Sequence, residues 1–554
     1  MKYSIVLSLF LLSGATAMAQ EKKEEGKKPG SLQDAQFEII KERKNRVGEA
    51  DRRYEKIPPQ PQLDREHQAQ QFDIKDYDLG LPLFSPTIRV LKMKKEKRPS
   101  YTPNYVKAGF GSYVSPYLEL YLANPKSRDM NWNVRAAHAS SLNGPVDSKN
   151  SGASETAIDL GGEFIGKRAV LSGNLFYNRR GVHFYGYDSD IDPTPDASDI
   201  AQNWNTFGAN IGFRNVDRDL MQLDLGTDFY YMKGKSGISE IGWTIGGESE
   251  FDLGGDWALG LDGDVIISSL DKPVEKESRS YVSVRPTIKF RPNVFLIEAG
   301  VSINYQSDTV ENLASAVIAP LLKATYEFDG AGKISAGIRG GVDYNSYQSF
   351  VEENPFLADT IAIFNTAKDY ELFLEGDYAL LGSLGITGGF SYARYTNMPF
   401  FVNDYVRDPA QFIIIYDDET DVTKFFADLY YDFQEKFRLT AGLEYNGYSV
   451  SDQLKEAWHR PTLIFRGGFD YKITEKIGFN TKFEALTGIK ALDEKGEAID
   501  LDAILDLDVK GTYQVNKKIS AFVLLDNLLS KDNAYYYRYP TRGLMVMGGV
   551  GVSF

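Results

Sequence analysis

Apolar and polar residues alternate along most of this chain, with a period of two that begins near Tyr105 and continues to the last residue. In one clear example, Leu372 and Leu374 fall on one side of the pattern, and Glu371 and Glu375 fall on the other. Successive side chains of a β-strand point to opposite faces of a sheet, so this alternation predicts strands with one apolar and one water-facing side. Many runs extend for about ten residues, the length that a tilted strand needs to cross a bilayer.

Tight turns and long polar connections alternate between the predicted strands. Gly254-Gly255 is typical of the tight turns, and residues 396–421 are typical of the long connections. Short periplasmic turns and long extracellular loops characterise outer-membrane barrels. We therefore predict an all-β protein, a transmembrane antiparallel β-barrel of about 22 strands (range about 18 to 24) over residues 101–554. The alternative is a soluble all-β fold such as a sandwich array, propeller or solenoid, although strands average about 5 to 6 residues in globular proteins.

The first 100 residues lack this alternation. Residues 1–19 combine a basic start, a short apolar core and a small-residue cleavage pattern, which predicts a signal peptide. Residues 20–100 are highly charged and carry too thin an apolar face to bury a core alone. Within them a helix is expected over about residues 31–56, and a proline-rich break at residues 57–61 ends it. This segment, including its basic run Lys92–Arg98, is expected to be periplasmic or inserted into the lumen.

Composition excludes several functional classes. The 554 residues include no Cys, which excludes a disulfide framework, a thiolate metal site and a cysteine nucleophile. A net charge of −15 argues against a nucleic-acid partner, which requires a basic surface. The 34 Tyr and 33 Phe favour strands. We expect Tyr430-Tyr431 and Tyr535-Tyr536-Tyr537, at predicted strand ends, to belong to an aromatic girdle at the membrane interface.

The final predicted strand places small and apolar residues on one face and ends in an aromatic residue. Such a closing strand is the usual recognition signal of the β-barrel assembly machinery, which we therefore predict as a partner during biogenesis. The residues of this signal are Val546, Gly548, Val550, Val552 and Phe554.

The segment before this strand resembles the C-terminal barrel signature of TonB-dependent receptors. The matching residues are Asn527-Leu528, Lys531, the run Tyr535 to Pro540, and Arg542-Gly543, where the family typically has Gly-Arg. Residues 105–122 and 180–187 look similar to a plugless group of such barrels in Bacteroidetes-type bacteria. The resemblance covers about residues 100–554 and implies an outer-membrane barrel. A full receptor of the family also carries a plug and an energy-coupling box, and no plug pattern is seen in this sequence, so the resemblance does not imply energised import.

The water-facing sides of the predicted strands supply candidates for the lining of a lumen. Acidic residues outnumber basic ones among them, which indicates a pore that prefers cations or cationic substrates; an ordinary wet lumen is the alternative. The candidates are Glu371, Glu375, Asp377, Arg438, Glu444, Lys482, Glu484, Asp506 and Asp508.

Metal and catalytic candidates are weaker. Five aspartates have a spacing similar to that of a calcium loop, namely Asp188, Asp190, Asp192, Asp196 and Asp199. However, Pro193 stands where an EF-hand needs Gly, and the last aspartate replaces the bidentate Glu, so a hydrated loop is the default interpretation. His183 could serve a membrane-embedded hydrolase as a general base, with a structural histidine as the simpler alternative. We predict no cofactor and no enzyme.

These features predict an outer-membrane protein of a Gram-negative bacterium, in contact with membrane lipid, that serves as a transport or pore protein. The alternative is a non-transporting scaffold or accessory subunit of an outer-membrane complex. In that role, residues 20–100 would bind a periplasmic or outer-membrane protein partner or fill the lumen.

Overall fold

A computed structural model of the protein describes residues 104–124, 127–188, 193–216, 221–273, 275–310, 312–328, 331–381, 383–434 and 436–554. The predicted signal peptide and the predicted features of residues 20–100 lie outside the described residues. What is described is an all-β protein built around one closed antiparallel barrel of 22 strands. The predicted fold class and strand number are confirmed.

Twenty-two strands form the barrel wall. Their bounds are Tyr105–Gly111 (β1), Ser115–Ala123 (β2), Met130–Ser141 (β3), Ala153–Ile165 (β4), Ala169–His183 (β5), Ala201–Asn215 (β6), Met221–Lys233 (β7), Ser239–Gly254 (β8), Trp257–Asp271 (β9), Lys276–Phe290 (β10), Phe295–Gln306 (β11), Ala316–Phe328 (β12), Gly332–Asp343 (β13), Thr366–Leu381 (β14), Leu384–Thr396 (β15), Thr420–Phe433 (β18), Phe437–Ser449 (β19), Leu463–Lys472 (β20), Ile477–Thr487 (β21), Ile504–Gln514 (β24), Ile519–Asp526 (β25) and Met545–Ser553 (β26). Each strand pairs with the next along the wall, and β26 pairs with β1 in the register Val106↔Val552. This last pairing closes the sheet and leaves it without an open edge.

Short turns gather at the end of the barrel that holds the chain terminus, which we name the turn end. The Phe554 N–H donates to the Asn104 carbonyl there at 3.0 Å. Gly254, Gly255 and Asn293 adopt the left-handed backbone that such turns require. The long connections all lie at the opposite end, the loop end, so the predicted asymmetry is confirmed. Three connections at the loop end are also short, namely those between β1 and β2, between β7 and β8 and between β9 and β10.

The loop end carries secondary structure of its own. Its elements are the hairpin Met398–Asp404 (β16) with Asp408–Asp417 (β17), the hairpin Lys490–Leu492 (β22) with Ala498–Asp500 (β23), and the helices Ala197–Ile200 (α1) and Tyr347–Glu353 (α2). Ser346 caps α2, because its side chain accepts the Ser349 N–H while the Ser349 hydroxyl accepts the Ser346 N–H. Within the described ranges, no helix has the length and apolar character needed to cross a membrane.

The outer face of the wall is an apolar band. Leu372 and Leu374 of β14 expose about half of their surface, while Glu371, which precedes Leu372, and Phe373, which lies between the two leucines, are buried on the inner side. The same alternation recurs around the barrel, for example at Leu171, Leu175, Phe207, Ile211, Ile241, Trp243, Ile245, Ile303, Leu322, Leu443, Val523 and Val550. An apolar surface of this extent on a closed barrel is a face for lipid.

Candidate functional site

The inner face of the wall is polar and carries many ion pairs between neighbouring strands. Arg135 on β3 faces Asp159 on β4 in the register, with 3.6 Å between the charged atoms. The inner-face pairs are Lys107–Glu119, Arg135–Asp159, Arg180–Glu155, Arg214–Glu163, Arg285–Asp264, Lys289–Glu298, Lys323–Glu375, Arg339–Glu371, Lys424–Glu444, Arg438–Asp432 and Arg466–Glu484. Charged groups in such numbers need water around them, so the arrangement fits a hydrated lumen.

The nine residues predicted to line a lumen alternate with outer-band residues, and the register places them on the inner face. Their acidic charge is partly neutralised, because bases lie beside several of them. The contacts are Glu371 with Arg339, Glu375 with Lys323, Glu444 with Lys424, Glu484 with Arg466, Arg438 with Asp432, Asp377 with the Thr387 hydroxyl, and Asp508 with the Asn527 N–H. In the register Lys482 faces Asp508, and Asp506 faces Glu484. A preference of the lumen for cations stays a prediction.

The long loops form a dry core across the loop end, which we name the loop core. Its buried residues are Trp204, Met232, Ile238, Leu270, Tyr347, Phe350, Val351, Leu357, Ala358, Ile361, Ile363, Phe401, Phe412, Tyr536 and Tyr539. They come from the loop ends of β6, β7 and β9 and from four connections, at residues 234–238, 344–365, 397–419 and 527–544. The prediction of long polar connections therefore leaves out the apolar residues that these connections bury.

The connection between β13 and β14, residues 344–365, folds inward over the lumen. Trp204, Met232 and Leu270 occupy inner positions on their strands, and the loop packs against them. The Trp204 indole N–H donates to the Pro355 carbonyl at 3.1 Å, and its ring lies 5.6 Å from that of Tyr347. This loop, which we call the β13–β14 loop, thus rests on the inner wall at the mouth of the barrel.

Two buried acidic groups fix this loop. The Glu240 carboxylate on β8 accepts the N–H groups of Tyr347 and Gln348 at 3.1 and 2.9 Å, at the start of α2. At the base of the loop, Arg279 on β10 forms a bidentate ion pair with Asp308, in which Nε and Nη2 of the guanidinium lie 2.8 and 2.6 Å from the two carboxylate oxygens. Such paired, hydrogen-bonded geometry is what buried charges require.

Arg279 also joins both ends of the β13–β14 loop. Its guanidinium donates to the Asn345 carbonyl at 2.5 Å and to the Asn365 side-chain oxygen at 2.6 Å. Asp308 accepts the Asn365 N–H at 2.8 Å as well. Because one guanidinium contacts the entry and the exit of the loop, the base of the loop is held as a unit.

His459 joins four connections at the loop end. The backbone N–H of His459 donates to the Lys490 carbonyl, and the ring Nδ1 lies 2.8 Å from the Phe401 carbonyl. The Tyr537 N–H donates to Nε2 at 3.2 Å, so Nε2 carries no proton and Nδ1 is the donor to Phe401. Burial without a counter-charge lowers the pKa of His459 to about 4. The ring is therefore neutral at physiological pH.

The signature-like segment near the C-terminus forms part of this loop core. Asn527 closes the neck of its loop by donating to the carbonyls of Lys531 and Arg542, at 3.1 and 2.8 Å. Tyr536 is buried, and its hydroxyl donates to the Glu353 carbonyl. The prediction that Tyr535-Tyr536-Tyr537 form part of a membrane girdle is wrong, because this run lies in a loop and packs against protein.

The weaker candidates have local roles where they are described. Asp190 and Asp192 lie outside the described residues, and Asp188 lies 3.9 Å from Arg538. Asp196 precedes α1, and Asp199 lies within it. The described ranges contain no group of three His, Cys, Asp or Glu placed to hold a metal ion. The Nδ1 of His183 lies 2.6 Å from the Gly152 carbonyl, which fits a structural role.

The closing strand carries its predicted signal residues on the outer band. Val546, Val550, Val552 and Phe554 are exposed there, and Gly548 pairs with Phe110 of β1. The backbone of β26 bonds to β25 and β1 on its two sides. Recognition of this strand by the β-barrel assembly machinery stays a prediction.

A closed barrel with an apolar exterior and a polar, ion-paired interior is an outer-membrane β-barrel. The predicted localisation, the outer membrane of a Gram-negative bacterium, follows from this architecture.

Comparison with known proteins shows which solved structures this barrel is similar to. No protein-family model matches the sequence, and no curated protein matches it. Solved structures do match. The siderophore receptor PirA from Acinetobacter baumannii gives a TM-score of 0.62 at 10% identity, over 81% of this chain and 80% of that chain. The FrpB iron transporter from Neisseria meningitidis gives 0.62 at 8% identity, over 81% of each chain. The ferric-catecholate import receptor Fiu from E. coli K12 gives 0.59 at 10%, over 83% and 82%. At these identities the likeness shows a shared barrel fold.

Proposed function

We propose that this protein is a transport barrel of the outer membrane, which passes a solute through its lumen and has a wall like that of TonB-dependent receptors but no plug. The observation that carries the proposal is the inner face. Its ion pairs occur around the wall from β1 to β21. A face with so many charged groups is typical of a hydrated passage and not of a packed core. The loop end is then extracellular and the turn end periplasmic.

The proposal of a barrel without a plug rests on the family resemblance and on the lack of a plug pattern in the sequence. The likeness to a plugless group in Bacteroidetes-type bacteria rests on residues 105–122 and 180–187. Without a plug, the loop core is the part of the described chain that stands between the lumen and the exterior.

Conductance in planar bilayers tests the proposal. In one variant, a short Gly-Ser linker replaces residues 346–364, which removes the loop that covers the mouth. We expect this loop-shortened variant to form stable ion-conducting channels. A matched control shortens the connection at residues 142–152, which contributes nothing to the loop core, and should leave conductance as it is in the unmodified protein. A loop-shortened barrel that is correctly folded yet electrically silent would contradict the proposal.

The closed loop end favours a second candidate function, that of a non-transporting scaffold subunit. In this role, residues 20–100 would bind a periplasmic or outer-membrane protein partner. Photo-crosslinkers placed singly along residues 31–98 in intact cells discriminate between the two functions. A reproducible crosslinked partner, together with a silent loop-shortened variant, would favour the scaffold. Channels from the loop-shortened variant and no crosslinked partner would favour transport.

A further inference from the structure

We propose that the β13–β14 loop is a gate over the lumen and that Glu240 is the latch that holds it shut. The inference rests on the proposed passage of a solute and adds the device that controls it. Three features carry it: a fixed base, a seat on the inner wall, and a latch whose hydrogen bonds within the protein form only in the closed position.

The latch is the contact between Glu240 and the start of α2. Ser346 already caps the Ser349 N–H of this helix, and the two N–H groups before it are taken by the two oxygens of one carboxylate. Glu240 is almost completely buried by the loop above it. Helix N–H groups without an acceptor are costly inside a protein, and a buried carboxylate without donors is costlier still. Closure therefore satisfies both partners at once.

The base of the gate is separate from the latch. Arg279 holds Asn345 and Asn365 at the two ends of the loop, and Asp308 pairs with the same guanidinium. A second contact fixes the exit of the loop, where the Asn397 side chain donates to the Asn365 carbonyl at 2.7 Å. The residues between these ends can leave the wall while the base stays in place.

The seat is apolar only at the mouth. Trp204, Met232 and Leu270 are each at most 3% exposed beneath the loop. Further toward the turn end, the inner positions of the same strands carry charged and amide groups such as Arg214, Asp228 and Asp264. The inner face of the wall thus changes from polar to apolar where the loop rests. The apolar inner residues at the mouth match the apolar residues of the loop, so the wall sequence favours the closed position.

Opening would not leave the latch residue in a dry site. Glu240 lies near the loop end of β8, at the second residue of the strand, so a displaced loop would expose its carboxylate to water at the mouth. A hydrated carboxylate needs no protein donor. The latch therefore favours the closed gate without blocking its release.

Conductance of the full-length protein in planar bilayers tests the latch. Glu240→Gln keeps the size of the side chain but removes the charge and one acceptor oxygen. We expect its open-channel activity to rise by about tenfold or more over the unmodified protein, since two buried N–H groups lose a charged acceptor. Glu456→Gln is the matched control: its carboxylate pairs with Lys490 on a half-exposed part of the loop end, and conductance should not change.

A cysteine pair provides a second test that does not depend on one substitution folding well. The natural chain has no Cys, so a bismaleimide crosslinker would react only at Glu240→Cys and Gln348→Cys. The double variant should conduct before crosslinking and close after it. Glu240→Cys alone should stay open after treatment, whereas Gln348→Cys alone should be as closed as the unmodified protein before and after treatment, because its latch contacts use the backbone N–H groups and an intact Glu240. Heat-modifiable migration in gels shows that each barrel is folded.

Two outcomes overturn the inference in different ways. If Glu240→Gln and the cysteine pair stay as silent as the unmodified protein while the loop-shortened variant conducts, the latch is wrong and the proposed transport function stands. If the loop-shortened variant is silent as well, the proposed function fails and the gate fails with it.

Discussion

The barrel wall and the loop core use the same interactions in opposite surroundings. The wall pair Arg466–Glu484 leaves 59% and 43% of its side chains exposed, whereas Arg279–Asp308 at the mouth leaves 6% and 3%. An exposed pair contributes about 0 to 1 kcal/mol, but breaking a buried one costs about 3 to 5 kcal/mol. The wall therefore tolerates the loss of single polar contacts, while the loop end depends on them.

The apolar residues show the same contrast. In the wall they point outward to lipid, and in the loop core they point toward one another, as in a small water-soluble domain. Regions with separate cores can open separately. We therefore expect the stability of the loops and the stability of the barrel to respond to different substitutions, and four measurements test this expectation.

The largest effect is expected from Arg279→Met. Asp308 would stay buried without its cation, and the loop end should lose about 3 to 5 kcal/mol. Hydrogen exchange of peptides within residues 344–365 should accelerate strongly, while peptides from the wall strands keep their protection. Unchanged exchange in this loop would show that the buried pair is not what holds the base.

The second effect is a dependence on pH through His459. Its folded pKa of about 4 lies below the usual value of about 6.5, because the buried ring is held neutral. When the loops open, the ring takes up a proton below about pH 6.5. The free energy of opening the loop core should therefore be greatest above pH 6.5. It should fall as the pH decreases toward 4, by about 3 kcal/mol in total.

Limited proteolysis of the loops between pH 7 and pH 4.5 measures this loss. His459→Gln should remove most of the pH dependence of cleavage, and His138→Gln, a wall variant, should retain it. An identical pH profile in the His459 variant would assign the effect to other groups.

A smaller effect is expected from Tyr536→Phe, which removes the hydroxyl that donates to the Glu353 carbonyl. One hydrogen bond of this kind contributes about 1 kcal/mol, so exchange in the loop core should rise by about fivefold. Tyr326→Phe on the outer band is the control and should change nothing there. Equal effects from the two variants would remove the distinction between the loop core and the outer band.

The smallest effect on stability is expected from Arg466→Met, below about 1 kcal/mol. Its effect on permeation should be larger, because Glu484 would lose its neutralising partner in the lumen. In the loop-shortened background, reversal potentials should shift toward higher cation permeability. A shift toward anions would contradict the predicted lining of the lumen.

Sequence reasoning predicted the wall well, because a strand between lipid and water imposes a period of two on every residue. The alternation of Leu372 with Glu371 is sufficient to assign Leu372 to the outer face of the wall and Glu371 to the inner face. Sequence reasoning failed at Tyr536, because a loop that folds back on protein has no regular period. The role of His459 was equally hidden, because its partners Phe401, Lys490 and Tyr537 come from three other loops that only the closed barrel brings together.

The contacts between distant loops at the mouth also have a consequence for the order of assembly. Tyr185 donates to the Pro540 carbonyl across 355 residues of chain, and Arg180 donates to the Glu352 carbonyl across 172. Contacts so distant along the chain are slow to form unless something else has already brought their ends together. The cylinder of strands performs that task, so we expect the mouth to close last. A newly inserted barrel would then pass through a transiently leaky stage, and the sealing of its loops would mark the completion of folding.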